Sequence, residues 1–189
     1  MTDEILAKLT KALPPARLRH SRAVALTAAE LAAAYGADAG KARLAGLLHD
    51  CARGMPSNIL LHSAAAFGIV VNDVERREPM LLRAPVGACL ARRDYGVDDP
   101  EVLAAIRWHT TGGPVMTLLD EIIFLADFIE PGRSFPGVEK IRELAKTSLP
   151  AALLAAYDQT LSHLVAKARL IHPATVEGRN ALLAKMPAK

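Results

Sequence analysis

Four ionisable residues of this sequence stand where the hydrophobic pattern calls for apolar ones. His20 lies one turn before Val24 and shares a helical stripe with Thr27 and Leu31, a spacing that faces the core. His49 and Asp50 close the oily run "ARLAGLLHD", and Asp127 is embedded in "IIFLADFI". A carboxylate in such company costs several kcal/mol unless it is paired or ligates a cation. Neighbours on a helix point about 100° apart, so His49 and Asp50 are splayed and can converge on a point between them. Two histidines and two aspartates form a mixed nitrogen and oxygen donor set, suited to a divalent ion such as Fe, Mn, Co, Ni or Zn. Four protein ligands leave two positions of an octahedral ion open to water or a substrate oxygen, and such a water is a nucleophile near neutral pH. One histidine on an apolar face is usually an ordinary core residue. The combination points to a metal centre.

The elements that must position these residues read as helices. Half of the 189 residues are hydrophobic, mostly Ala and Leu, and only 4% are aromatic, a helix-forming balance. A long helix is expected from about Pro15 to Tyr35, stopped by Gly36. Asp38 caps the next, which carries "KARLAGLLHDCAR" to Gly54. Further helices are expected from Pro56–Ser57 to Gly68, near Asp73–Arg77, and from about Pro79 to Tyr95. Asp98 or Asp99, with Pro100 just inside, opens "EVLAAIRWH", which breaks at "TTGGP". Thr117 caps "LLDEIIFLADFIE", and "VEKIRELAK", a helix from about Pro150 to Leu170 and one after Pro173 complete the chain. Strand alternation is absent. The expectation is a compact all-α bundle, one domain over residues 1–189 with its core at about 17–180.

Charge and cysteine content narrow the partners. A net charge of +3 and a pI near 9.0 suit an anionic ligand but are too weak to argue for nucleic acid. Cys51 and Cys89 lack a CxxC spacing, which suits free thiols in a reducing compartment. "MTDEILAKL" is no signal peptide, and no run approaches the ~18 apolar residues of a membrane span. A cytoplasmic protein without membrane or nucleic-acid partners is expected.

The ordered pattern His20, His49-Asp50, Asp127 resembles the signature of the HD superfamily of phosphohydrolases. The stretches "RLRHSRAVALTAAELAAAYG", "APVGA", "IRWHTTG", "LADFIEPGR", "FPGVEKIR" and "HPATVEGRN" are similar to the YqeK-type branch, the symmetrical bis(5′-nucleosyl)-tetraphosphatases. The resemblance implies a helical HD domain with one or two divalent ions, iron first and Mn, Co, Ni, Zn or Mg as others. It also implies hydrolysis of diadenosine tetraphosphate, a dinucleoside polyphosphate, to two ADP, and a homodimer. By the same resemblance His20, His49, Asp50 and Asp127 are metal ligands, with Asp50 and His109 catalytic. His109 would lie near the phosphate, help a second metal or give a proton to the leaving group. Arg53, Thr110 and Arg133 would bind substrate phosphate. Arg83 stands where the family commonly has histidine. It cannot ligate a metal, so it weakens a two-metal reading and offers a phosphate contact instead. Another nucleotide or phosphoester substrate, or a regulatory module with little turnover, are the alternatives.

Other residues are expected to be structural: Cys51 as a small buried hydrophobe, His62, His163 and His172 as ordinary helix or loop histidines, and Trp108 as core. Asp120 and Glu130 lie on the Asp127 face and are expected to orient ligands, Glu130 foremost. "TTGGP" reads as a helix-ending turn whose N–H groups could face phosphate.

Overall fold

The computed structural model describes residues 2–186. Eleven helices occur among them and no strand: α1 (Thr2–Ala12), α2 (Pro15–Tyr35), α3 (Ala39–Leu48), α4 (Ser57–Ala66), α5 (Asp73–Arg77), α6 (Arg83–Tyr95), α7 (Pro100–Trp108), α8 (Leu118–Ile129), α9 (Val138–Thr147), α10 (Leu149–Ala166) and α11 (Pro173–Lys185). The all-α expectation holds, and the punctuation residues act as read. Gly36 ends α2 with φ 79°. Asp38 accepts from the backbone N–H groups of Gly40 and Lys41, and Asp99 caps α7 in the same way. Thr117 and Asp120 form a capping box at the start of α8, satisfying donors that a helix start leaves unpaired.

Three boundaries differ from the expected ones. The α3 helix ends at Leu48 rather than near Gly54. Beyond it the bonds tighten to i→i+3, from Cys51 N to Leu48 O and from Arg53 N to Asp50 O, as frequently happens in last turns. The segment expected as one helix from Pro79 splits into a 3-10 turn over Pro79–Leu82 and α6. Pro85 has no N–H to give the Leu81 carbonyl, so a continuous α ladder cannot cross this point. The α10 helix also stops at Ala166, before Leu170.

The core runs along the middle of the bundle. The helix α8 is its axis, with Ile122, Ile123, Phe124, Leu125 and Ala126 all buried. The helices α2, α3 and α7 pack around it and bring His20, His49 and His109 to one side of Asp127. The helices α2 and α3 approach closely at Gly46. A Cβ there would lie 2.8 Å from Ala25 Cα and 3.1 Å from Val24 O, both backbone. The glycine therefore sets the approach of the two helices that carry His20 and His49.

Gly46→Ala should destabilise the protein, because neither backbone can yield without moving a helix. The overpacking cost is about 1–3 kcal/mol, against a helix-propensity gain of up to ~1 kcal/mol. Thermal unfolding should show Tm lower by several degrees, at about 2–4 °C per kcal/mol for this chain length. An unchanged or raised Tm would contradict this packing.

Candidate metal centre

Two helices end in the same way at this site. His49 follows the last residue of α3 and His109 the last residue of α7. Each ring donates its Nδ1–H to the carbonyl three residues earlier, His49 to Gly46 and His109 to Ile106, both at 2.7 Å. Those carbonyls are among the acceptors a helix C-terminus leaves open. The bond fixes the tautomer, so each Nε2 carries a lone pair directed into the site. With His20 the rings form a row, with centroids 5.2 and 4.9 Å apart and nearly perpendicular planes. His20 is held differently. Its Nδ1 bonds Glu130 Oε1 at 3.1 Å, and its Nε2 lies 3.0 Å from Asp127 Oδ1.

The carboxylates close the cluster. Asp50 Oδ1 is 3.8 Å from His109 Nε2, and Asp50 Oδ2 is 3.8 Å from His49 Nε2. Asp127 Oδ1 is 3.7 Å from His49 Nε2. Ligand atoms of His20, His49 and Asp50 lie within 4.8 Å of one another, and so do those of His49, His109 and Asp127. The buried His20 Nε2, His49 Nε2 and Asp50 Oδ1 have no aligned hydrogen-bond partner. Buried polar atoms are nearly always paired, so three orphans from three neighbouring candidate ligands fit a cation between them. Burial opposes ionisation of Asp50 and Asp127. The His20 hydrogen bond and Arg133 outweigh it for Asp127, Arg83 is among the neighbours that do so for Asp50, and both carboxyls are held below the usual range.

Four guanidinium groups surround these acids. Arg17, Arg53 and Arg83 lie 3.8, 3.9 and 3.4 Å from Asp50 oxygens. Arg83 is anchored through Nη1 on the Met80 carbonyl, and its Nε is buried without a partner. Arg133 donates through Nε to the Asp127 carbonyl at 2.7 Å and through Nη2 to the Asp127 carboxylate. Thr110 Oγ1 lies 2.9 Å from His109 Nε2. Beside the cluster opens a cavity of about 500 Å³ that reaches Arg83, His109, Thr110, Asp127 and Arg133.

Every residue singled out from the sequence as ligand or substrate contact thus gathers at this site or its rim. Some assigned roles change. Burial, with the neighbouring His49, pushes the His109 imidazole down to about 3. Asp120 does not orient a ligand; its Oδ2 accepts from Thr117 N–H at 2.8 Å at the other end of α8. Glu130 is the orienting carboxylate. The Gly112 N–H of "TTGGP" is bonded to the Trp108 carbonyl at 2.9 Å. Trp108 itself packs on Gly113, and Cys51 is buried with its thiol pushed up to about 12. His163, expected as an ordinary helix histidine, borders the cavity with Phe128 and Phe135.

Sequence reasoning passed over Arg17 and Arg142. Arg17 precedes His20 by three residues in "RLRH", a spacing that puts both on one helix face. Arg142 of α9 donates to the carbonyls of Ile129, Glu130 and Arg133 at 2.7–3.0 Å. It fixes the turn that presents Glu130 and Arg133, a role with no local signal.

Comparison with known proteins agrees with this geometry. The HD domain family matches residues 17–132. A Halalkalibacterium halodurans protein named "Bis(5'-nucleosyl)-tetraphosphatase, symmetrical" is 44% identical over 88% of this chain and 89% of its own. One of the same name from Bacillus subtilis is 40% identical over 92% of both chains. A crystal structure from Clostridium acetobutylicum, described as a "predicted HD superfamily hydrolase involved in NAD metabolism", superposes with TM-score 0.96 and 40% identity over 98% of both chains.

Because Glu130 is the partner of the His20 Nδ1 nitrogen, Glu130→Gln should weaken divalent-metal affinity about 10–100-fold, the usual effect of losing such a partner. Calorimetric titration with Mn or Co checks it. Unchanged affinity would mean that Glu130 does not support a ligand.

Proposed function

The chain belongs to the HD domain family, and on that premise we propose that it cleaves diadenosine tetraphosphate symmetrically into two ADP. The observation that carries the reading is the identity of 44% and 40%, over about nine-tenths of the chain, to relatives named for that activity. The site supports it on its own terms: unpartnered nitrogen and oxygen donors stand inside a ring of arginines, which suits a metal and a polyanion together.

In this reading His20, His49, Asp50 and Asp127 hold a divalent cation, iron first, with Mn, Co, Ni, Zn or Mg as alternatives. A cation there supplies Lewis acidity, drawing charge from a phosphoryl oxygen and lowering the pKa of water. The oxygen of one water joins one of the two inner phosphorus atoms of the tetraphosphate. The bond from that phosphorus to the central bridging oxygen breaks, the bridging oxygen leaves with the second ADP, and the protons of the water pass to solvent. Asp50, held ionised, would ligate the cation through one carboxylate oxygen and accept a hydrogen bond from the attacking water on the other, which keeps that water oriented. His109 Nε2 accepts from Thr110 or from that water. Arg53, Arg83 and Arg133 neutralise phosphate charge that grows as the bond breaks, and Arg17 adds to the positive rim. Arg83 is a fixed cation beside Asp50, which favours one metal ion over two. No described helix is long and apolar enough to cross a membrane. A cytoplasmic nucleotide hydrolase, working as a homodimer, is the setting we infer.

The test is incubation of metal-loaded protein with diadenosine tetraphosphate and separation of the products. Two ADP are expected, and Asp50→Asn should lose both bound metal and turnover. AMP plus ATP would contradict central cleavage. No turnover with Fe, Mn, Co or Ni would overturn the reading.

A further inference from the structure

The cavity beside the metal cluster is not alone. A second one, of about 290 Å³, lies on the far side of Arg83 and is lined by Glu78, Leu81, Thr111, Arg169, Leu170 and His172. The two share a wall made of Arg83, Thr110, Thr160 and Leu164. The first holds the aromatic rings of Phe124, Phe128 and Phe135. Both are near the size range of small-ligand pockets, ~300–1,000 Å³. The site thus has a cationic middle and two lobes, each with apolar surface and a few polar groups.

We propose that the second lobe is the subsite for the other nucleoside of the substrate. The inference rests on the dinucleoside tetraphosphate reading and extends it. A dinucleoside tetraphosphate has an anionic middle and two identical bases, which matches a cationic wall flanked by two lobes. In the second lobe Leu81 and Leu170 offer apolar surface to a base. Thr111 Oγ1, which donates to the Gly112 carbonyl, and the Glu78 carboxylate, paired with Arg169, keep acceptor lone pairs for ribose hydroxyls, whereas both nitrogens of His172 are taken up by Asn72 and the Ala174 N–H. The lobe is built rather than incidental. Ala168 sits at φ 50°, a conformation that non-glycine residues rarely adopt. The turn there carries Arg169 back to Glu78, where the two groups bond at 2.8 and 2.9 Å. Leu170, next in the chain, lines the lobe together with Met80 and Leu81 of the 3-10 turn.

Holding both nucleosides also sets where the chain is cut. With each end seated, the middle of the tetraphosphate is drawn to Arg83 and the metal cluster, and the two products are equal. One anchored end would fix the position of only the near phosphates.

ADP is the direct probe, since each product should occupy one lobe. Isothermal titration of metal-loaded protein with ADP is compared with Leu170→Glu, a substitution at a residue that is 41% exposed and that places negative charge in the second lobe. The wild type should bind two ADP per chain and Leu170→Glu one, with KM for diadenosine tetraphosphate raised about tenfold or more and two ADP still the products. One ADP per chain in an active wild type overturns the subsite and leaves the hydrolase reading intact. Two ADP per chain in Leu170→Glu likewise overturns it. Neither ADP binding nor cleavage in the wild type removes the hydrolase reading, and the subsite with it.

Discussion

The bond from a histidine Nδ1 to the carbonyl three residues earlier, made at the ends of α3 and α7, is the constraint on which the site depends. It satisfies a carbonyl that the helix end leaves open and, in the same act, fixes which ring nitrogen is free. Both free nitrogens then face one volume. Helix C-termini carry partial negative charge, so the ends of α3 and α7 add to a place where a cation is favoured. The close approach at Gly46 lets α2 bring His20 to the same volume. The axis α8 supplies Asp127 from its run "IIFLADFI", which is otherwise apolar.

Charge balance is the second condition. Two buried carboxylates need cations, and the structure supplies them on more than one scale. Arg133 and Arg83 are fixed by backbone carbonyls, so they are poised before any ligand arrives. Arg17 and Arg53 stand farther from Asp50. A polyphosphate brings several negative charges at once, and a mixture of fixed and looser guanidinium groups can meet them without a single strong pair that would hold product back.

Much of this was legible in the sequence, for reasons that can be named. Proline and glycine bounded α2, and aspartate or threonine caps opened α3, α7 and α8, because these depend on local backbone chemistry. The four proposed ligands stood out because each breaks an apolar face. What sequence did not show was long-range or hidden in hydrogen bonding. The end of α3 came early because the His49 ring takes the Gly46 carbonyl, which hydrophobic spacing cannot reveal. Arg142 reaches carbonyls nine to thirteen residues away. The second lobe joins Glu78, Thr111 and Leu170, three segments with no common motif. Asp120 looked like a partner of Asp127 on periodicity, but its position as the third residue of α8 committed it to the cap.

His20, His49, Asp50 and Asp127 are proposed to converge on one divalent ion. Titration of the metal-free protein with Co(II), followed by its visible absorption, reports ligand type and affinity together. A saturable spectrum showing nitrogen ligation is expected in the wild type, and its loss in His49→Ala, whose Nε2 faces both aspartates. A His49→Ala protein that is folded and binds Co(II) with wild-type affinity and spectrum would rule out this ligand set.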